Sequence, residues 1–582
     1  MEKRWVLKDM TDNEAVKRLS KELNINERLC SLLVQRNIKT YQEAKDFFRP
    51  SLDHLHDPYL MKDMDKAVDR ILMAHQKGEK IAVYGDYDVD GTTAVSLVYS
   101  FLRKFHKKVE FYIPDRYKEG YGISYIGIDR IVKNKCTLMV ALDCGIKAVE
   151  KVDYAKEKGL DIIICDHHRP GEVVPRAAAV LDPKQPDCPY PFKDLSGCGV
   201  GFKLIQAIAR KMEIPERKVY SYLDLATISI AADIVPITGE NRVISYFGLK
   251  QLNKNPRVGL RYLLQSAGME KNEDDDEAFF DKELTINDLV FMVGPRINAA
   301  GRIENATDSV RLLISNTTEY AEKLGKMINE MNLTRRDLDS NITQEAIEMI
   351  SNSQELLNSK STVIYRENWH KGVIGIVASR LIEQFYKPTI VLTKSEGLIT
   401  GSARSIKNFD IYDAIDSCSH LLEHFGGHTY AAGMAMKPEN FEQFKIEFED
   451  YASKHLTDDM LVPEIEIDEE LFVSDINFKF HKILKQFAPF GPGNMSPFFK
   501  TSNVIDTGYV KMVGKNGHNH LKFSVVHPDR TGSPLPAIAF NQGHHYKDMK
   551  EGKPFSICYH IDENHWLGNT TLQLRVKDIK FN

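Results

Sequence analysis

Five short runs of this chain are apolar from end to end: KIAVYGD (80 to 86), VEFYIP (109 to 114), TLMVALD (137 to 143), DIIICDH (161 to 167) and AAAVLDP (177 to 183). Between them lie helix-length segments such as TTAVSLVYSFLRKF and AVEKVDYAKEKG. A strand without a polar face must be covered on both sides, and strands that alternate with helices are joined by crossovers. The pattern therefore demands a parallel sheet between two helical layers. Such a sheet presents its chemistry at the carboxyl ends of its strands.

The rest of the chain is organised around that sheet. At about 150 residues per domain, 582 residues make several domains, not one. Residues 1–70 are polar with spaced leucines and read as an N-terminal helical segment, and 71–316 hold the parallel sheet. Leu324, Ile328, Met331, Leu338, Ile342 and Ile350 recur at helical spacing, which predicts one long connecting helix over 317–358. A second α/β domain follows at 359–460, with strands at STVIY and TIVLT around a helix at GVIGIVASRLIEQF. The segments HLKFSVVHP, LPAIAFN, PFSICYHID and TLQLRVKDIKF alternate, so 461–582 is expected to be a small antiparallel β-barrel. EKNEDDDEAFFDKE (270 to 283) reads as an exposed acidic insertion. No run of about 18 apolar residues occurs and MEKRWVLKDM lacks a signal-peptide core, so a cytoplasmic protein with no membrane contact is expected. The eight cysteines form no C-x-x-C pair, which predicts free buried thiols and no metal on sulfur.

The strand ends carry the chemistry. The first run leads into Asp86, Asp88 and Asp90, three carboxylates at alternate positions that repel one another unless cations lie among them. A calcium loop would need a bidentate Glu where Val98 stands. The third run ends in Asp143 and the fourth in Asp166-His167-His168, where one imidazole can bind metal, the other face substrate, and Asp166 orient a ring. Asp233 closes the small-residue segment LATISIAAD. Asp86, Asp88, Asp90, Asp143, His167 and Asp233 offer oxygen and nitrogen but no sulfur, a set suited to Mn²⁺ or Mg²⁺. Five carboxylates balance about four positive charges, hence two cations.

These motifs, in this order, resemble the DHH phosphoesterases, and within them the branch of single-strand-specific 5′-exonucleases. The resemblance rests on Gly85 to Gly91, Asp143-Cys144-Gly145, Asp166-His167-His168 and Ala231-Ala232-Asp233. It continues through Gly294-Pro295-Arg296-Ile297-Asn298-Ala299-Ala300-Gly301-Arg302 and Gly426-Gly427-His428. It implies an α/β fold: a parallel-sheet DHH catalytic domain, a long connecting helix, a second DHH-associated α/β domain and an OB-like barrel. It also implies two-metal hydrolysis with Asp143 bridging the ions, and leaves His168 as the group for the scissile phosphate.

A polyanionic substrate needs cationic and hydroxyl groups near the metals. Candidates are Arg116 after the second strand, Ser402 and Arg404 in a turn following a strand, and Gly427 and His428 before a small-residue helix. Arg296, Asn298 and Arg302 are expected to face the cleft. By the resemblance these groups anchor a terminal 5′-phosphate, the products are 5′-mononucleotides and the setting is DNA repair and recombination. Residues 475–582 hold 14 Lys and Arg against 8 Asp and Glu, on a chain of net charge −5, with Phe523, Phe540, Tyr546, Tyr559 and Trp566 interleaved. A basic surface with aromatic faces suits single-stranded DNA. The resemblance further implies a helicase and a single-strand-binding protein as partners of a monomer. Two rival readings remain at this stage: a hydrolase of short oligonucleotides or cyclic dinucleotides, and a non-catalytic single-strand-binding scaffold.

Overall fold

The computed structural model describes residues 2–9, 12–273, 278–303, 305–514, 519–529, 533–566 and 568–581; the side chain of Trp566 lies outside the described residues. Contacts divide the chain into two units. The first comprises Met1–Arg4, Pro58–Asp233 and Gly248–Pro463, the second Trp5–Asp57, Ile234–Phe247 and Glu464–Asn582.

In the first unit the five apolar runs form one parallel sheet in the order Val109–Tyr112, Ile81–Gly85, Leu138–Leu142, Asp161–Cys165, Ala179–Leu181. The strands Ile81–Gly85 and Leu138–Leu142 are buried throughout, as helices on both faces require. The order places the topological switch between those two strands, and Asp86 and Asp143 follow them directly. The helix Val89–Leu102 begins at Asp88, whose side chain caps it by accepting from the Gly91 amide at 3.0 Å. Ser196 caps the helix Gly197–Lys211 in the same way.

The long helix runs from Thr318 to Ser351 and spans about 50 Å. It does not continue to 358. Ser353 accepts from the Leu356 amide and starts a separate short helix, Gln354–Asn358. The far end of the long helix buries Ile342, Ala346 and Ile350 against Ile364, Trp369 and Val377 of the second α/β domain.

That domain has a five-stranded sheet, in the order Leu422–His428, Ala431–Met436, Leu398–Arg404, Thr389–Ser395, Thr362–Tyr365. Two elements differ from what the sequence predicts. Ser402 and Arg404 lie within the strand Leu398–Arg404, paired on both sides, and not in a turn after a strand. Gly427 and His428 end a strand that turns back into another strand, Ala431–Met436, and not into a helix. Small residues hide the alternation that marks a strand. They are also what a sheet with closely approached faces requires: a Cβ on Gly427 would stand 2.4 Å from the Ala431 carbonyl oxygen.

The second unit contains a seven-stranded sheet in which five strands close into a barrel by pairing of Ile505 and Asp506 with Val526 and Val525. It is not wholly antiparallel. Leu535–Ala539 runs parallel to Asn569–Phe581, because the chain between them passes through a helix and one arm of a hairpin and arrives in the original direction. Ala15, Leu19, Leu29, Leu32 and Leu33 of the N-terminal helices share one core with Phe487, Phe499, Phe555 and Tyr559 of the C-terminal region. Phe523 and Tyr559 are core residues, so they offer no stacking face, while Phe540 is exposed and Tyr546 is half-buried against the core.

In the acidic insertion 270–283, Glu270, Lys271, Glu273 and Asp281–Glu283 are exposed, Phe280 is buried, and 274–277 lie outside the described residues. All eight cysteines are free and buried, as expected. Among the described residues no helix is long and apolar enough to cross a membrane.

Candidate active site

Beside the sheet's carboxyl edge, three of the predicted acidic residues converge on one imidazole. His167 Nε2 lies 3.2 Å from Asp143 Oδ1, 3.6 Å from Asp233 Oδ2 and 3.7 Å from Asp90 Oδ2. Neither ring nitrogen of His167 makes a hydrogen bond, and Asp86 Oδ2 is likewise buried without a partner. Ligand atoms of Asp143, His167 and His168 lie within 4.8 Å of one another, as do those of Asp90, His167 and Asp233. Burial, and then Asp90, Asp88, Asp233 and Asp86 in that order, pushes the Asp143 carboxyl well above its usual range. Burial and Asp90 push Asp233 up to about 8. Burial raises Asp86, with Asp88 adding to it, and raises Asp88, with Asp90 adding to it. Five mutually repelling carboxyls, one orphaned carboxylate oxygen and an unbonded imidazole fit hard divalent cations. Asp143 adopts φ +58°, a left-handed conformation that costs about 1 kcal/mol or more in a residue with a Cβ. Its surroundings hold it there: Gly197 packs so closely that a Cβ would come within 2.6 Å of Asp143 Cβ.

Asp90 is anchored from behind. Its two oxygens accept from the Gly197 and Cys198 amides at 2.7 Å each, at the N-terminus of the helix Gly197–Lys211, and Ser229 Oγ donates to Oδ1. Asp166 does not face His167's ring. It accepts from the Ile146, His167 and His168 amides, and from His168 Nδ1 at 2.7 Å. Burial alone would raise Asp166, but the His168 hydrogen bond and charge outweigh it and hold the carboxyl at about 2. His168 in turn is raised, because Asp166 overcomes the effect of burial. Its Nε2 lies 3.2 Å from the Tyr121 hydroxyl, which also donates to the Asp143 carbonyl.

A group of arginines forms a second centre in the same unit. The Arg302 guanidinium is pushed down to about 10 by burial and by Arg116, Arg335 and Arg404, so four cations converge. Arg116 lies over the Tyr87 ring, and Arg302 donates to the Gly372 carbonyl at 2.8 Å. Arg404 Nη1 donates to Ser402 Oγ at 3.0 Å. The first turn of the helix Ile374–Phe385 abuts the same pair: a Cβ on Gly375 would stand 2.8 Å from Ser402 Oγ and 3.0 Å from Arg404 Nη2. Arg404, Ala431 and His428 are directly opposed across three strands, which puts His428 on Arg404's face about 10 Å away. Ser402 is in register with Gly433 and Gly426, neither of which carries a side chain onto that face.

Two predicted residues stand apart. Gly427 is in register with buried Ala432 and Ala403, on the opposite face of the sheet. Arg296 is turned onto the long helix, donating to Asn329 Oδ1 and to the Met292 carbonyl, whereas Asn298 and Arg302, four residues apart, share the other face of their helix. Sequence reasoning missed Tyr121, Gly197, Ser229 and Arg335, whose roles arise only from folding. It also passed over Asp182, which ends the fifth strand, is buried with Oδ2 unpaired, and is raised to about 7 by burial. There the signal was present, another strand-ending aspartate.

A doubly wound sheet whose strand ends and adjoining helix ends carry five aspartates and a D-H-H triplet, joined through a long helix to an arginine-lined second domain, defines a phosphoesterase of the DHH class. Family models agree: DHH family, N-terminal domain, over residues 80–230, the DHHA1 domain over 358–454 and the RecJ OB domain over 467–578. The single-stranded-DNA-specific exonuclease RecJ of Bacillus subtilis is 37% identical over 577 residues, 99% of this chain and 70% of that protein. RecJ of Haemophilus influenzae is 31% identical, covering 93% and 94%. The crystal structure of Thermus thermophilus RecJ in complex with Mn²⁺ matches with a TM-score of 0.83 at 25% identity, over 100% of this chain and 80% of that one. The chain belongs to the RecJ family of single-stranded-DNA-specific exonucleases.

Proposed function

We infer that this enzyme is a metal-dependent 5′-to-3′ exonuclease that degrades single-stranded DNA to 5′-mononucleotides in repair and recombination. The convergence of Asp90, Asp143 and Asp233 on the unbonded His167 Nε2 is the observation that carries the chemistry. Membership of the RecJ family carries the substrate.

Asp86, Asp88, Asp90, Asp143, His167 and Asp233 would hold two divalent cations, Mn²⁺ or Mg²⁺, which would supply hydroxide near neutral pH and offset charge on the phosphoryl oxygens. Asp143, the carboxyl nearest His167 Nε2, would be the central ligand of the set. The helix Gly197–Lys211 fixes Asp90 by two amides, so this ligand does not swing. Asp166 keeps the proton on His168 Nδ1 and aims the ring, and His168 donates from Nε2 to a non-bridging oxygen of the scissile phosphate. Arg116, Arg302, Ser402 and Arg404 hold the terminal 5′-phosphate, with Asn298 and His428 along the same path. This fixed end selects the first internucleotide bond and sets the direction of digestion.

The proposed division of labour is catalysis in 71–316, connection through 317–358, end-binding in 359–460, strand-binding in 461–582, with 1–70 as the N-terminal segment. The enzyme works in the cytoplasm as a monomer that receives its strands from a helicase and a single-strand-binding protein. Neither rival reading is favoured: a scaffold has no use for a complete ligand set, and the near full-length identity is to exonucleases. The test compares 5′- and 3′-end-labelled single strands in Mn²⁺. Immediate release of labelled mononucleotide from the 5′ label alone supports the reading, and release from the 3′ label first overturns it.

A further inference from the structure

The far end of the helix Val89–Leu102 opens on a cavity unrelated to the metal cluster. Asp88 and Asp90 lie at the start of this 14-residue helix. Tyr99 and Ser100 in its last turn, with Arg103 and Lys104 just beyond, line a cavity of about 600 Å³, so the two places are about 20 Å apart along the helix. The remaining walls come from the turn at Ser221–Tyr222, the segment Asn255–Arg261 and Leu313–Asn316.

The charge of this cavity is one-sided. Its only carboxylate among the described lining residues is Asp224, which is buried and already used: Arg257 grips both its oxygens at 2.6 Å. Arg103, Lys104 and Arg261 form no ion pair among the described residues. Lys104 lies 4.8 Å above the Tyr222 ring. Burial holds its ammonium below the usual value, with Lys218 and Arg257 acting in the same direction, as for a cation lacking a counter-charge. Arg261 is held in place by the Pro256 carbonyl and Asn255 Oδ1, and its guanidinium plane covers Phe279 at 4.6 Å.

Three cations with no carboxylate partner, on a concave wall with side-chain amides at Gln251 and Asn316, form a socket for a multiply charged anion. The volume is several times that of one phosphate and within the range of small-molecule sites. We propose that this cavity binds a nucleoside phosphate, with the phosphates on Arg103, Lys104 and Arg261 and the nucleoside toward the exposed Asn316 side. Two sources share that chemistry: a mononucleotide and a nucleoside polyphosphate. A site built from three cations favours the polyphosphate.

The test is calorimetric titration of the full-length protein with ATP, dAMP and inorganic phosphate, at low salt and with EDTA to keep divalent cations from the metal cluster. ATP is expected to bind saturably with one site per chain and tighter than dAMP. The double variant Lys104→Glu, Arg261→Glu should weaken it at least tenfold, while Asp143→Asn leaves it unchanged. Tighter binding of dAMP than ATP would assign the site to mononucleotides and overturn the polyphosphate choice. No saturable binding overturns the proposal, as does binding lost in Asp143→Asn but kept in the double variant. If the double variant misfolds, Lys104→Met, which keeps the stem over Tyr222, must still weaken ATP binding, and an unchanged affinity overturns the proposal.

Discussion

Asp166 and His168 form the most constrained pair of the site, and their constraint is chemical. One carboxylate accepts from three backbone amides and one imidazole, so an amide in its place would lose acceptor capacity and the charge that favours the protonated form of His168. Asp166→Asn should lower kcat about 10–100-fold with little change in affinity for single strands, and adding His168→Ala should cost little more, since both act through one ring. Additive losses in kcat would contradict the positioning role. The aspartates make a second prediction. The Asp233 carboxyl titrates at about 8 in the folded chain against about 4 when unfolded, so the metal-free native state holds a proton the unfolded chain has released. Stability of metal-free protein should therefore fall as pH rises from about 4 to about 8. Mn²⁺ competes with that proton, so its stabilising effect should grow over the same range. Thermal unfolding midpoints across pH, with and without Mn²⁺, measure this; parallel curves would contradict it. The strand-end aspartates and the D-H-H triplet were legible because acid after an apolar strand has one place to go. Tyr121 and Ser229 were not, because nothing near them in sequence marks their approach to His168 and Asp90.

At the scale of elements, the apolar runs specified their sheet because unbroken hydrophobicity over five residues admits little besides a covered parallel strand. GSARS and AAGMAM misled for the opposite reason. With glycine, alanine and serine at most positions, neither period shows, and only pairing on both sides makes Leu398–Arg404 a strand. Strand pairing changes the chemistry of the proposed end-binding group. A strand fixes Ser402 and Arg404 on one face, and the first turn of the helix Ile374–Phe385 packs against them at Gly375, giving a rigid socket in place of an adaptable turn. Arg404→Ala should accordingly lower the preference for 5′-phosphorylated over 5′-hydroxyl single strands about tenfold or more, since one charge-assisted hydrogen bond is worth about 1.5–3 kcal/mol. The ratio of kcat/KM on the two substrates measures it, and an unchanged ratio would remove Arg404 from the end-binding group.

At the scale of the whole molecule, the N-terminal helices and the C-terminal barrel are far apart in sequence and share one core. Helical periodicity could show that Leu19, Leu29 and Leu33 face something apolar, but not that the partner lies over 400 residues away. A chain lacking 464–582 should therefore expose these leucines, each worth about 2 kcal/mol of burial, and elute as aggregate. Lys522, exposed on the strand His520–Val526, is opposite Ile538, two residues before exposed Phe540; Phe540→Ala with Lys522→Ala keeps that core intact and should weaken binding to long single strands by about 1–3 kcal/mol, and equal affinity at moderate salt would show that this face does not bind DNA. The proposed hydrolysis runs at the aspartate and histidine cluster around Asp143. Its most direct measurement is kcat of wild type and Asp143→Ala on a 5′-phosphorylated single strand in Mn²⁺, with strand affinity measured in parallel. A fall of about 10²-fold or more at unchanged affinity is predicted; activity within about tenfold of wild type would contradict the account.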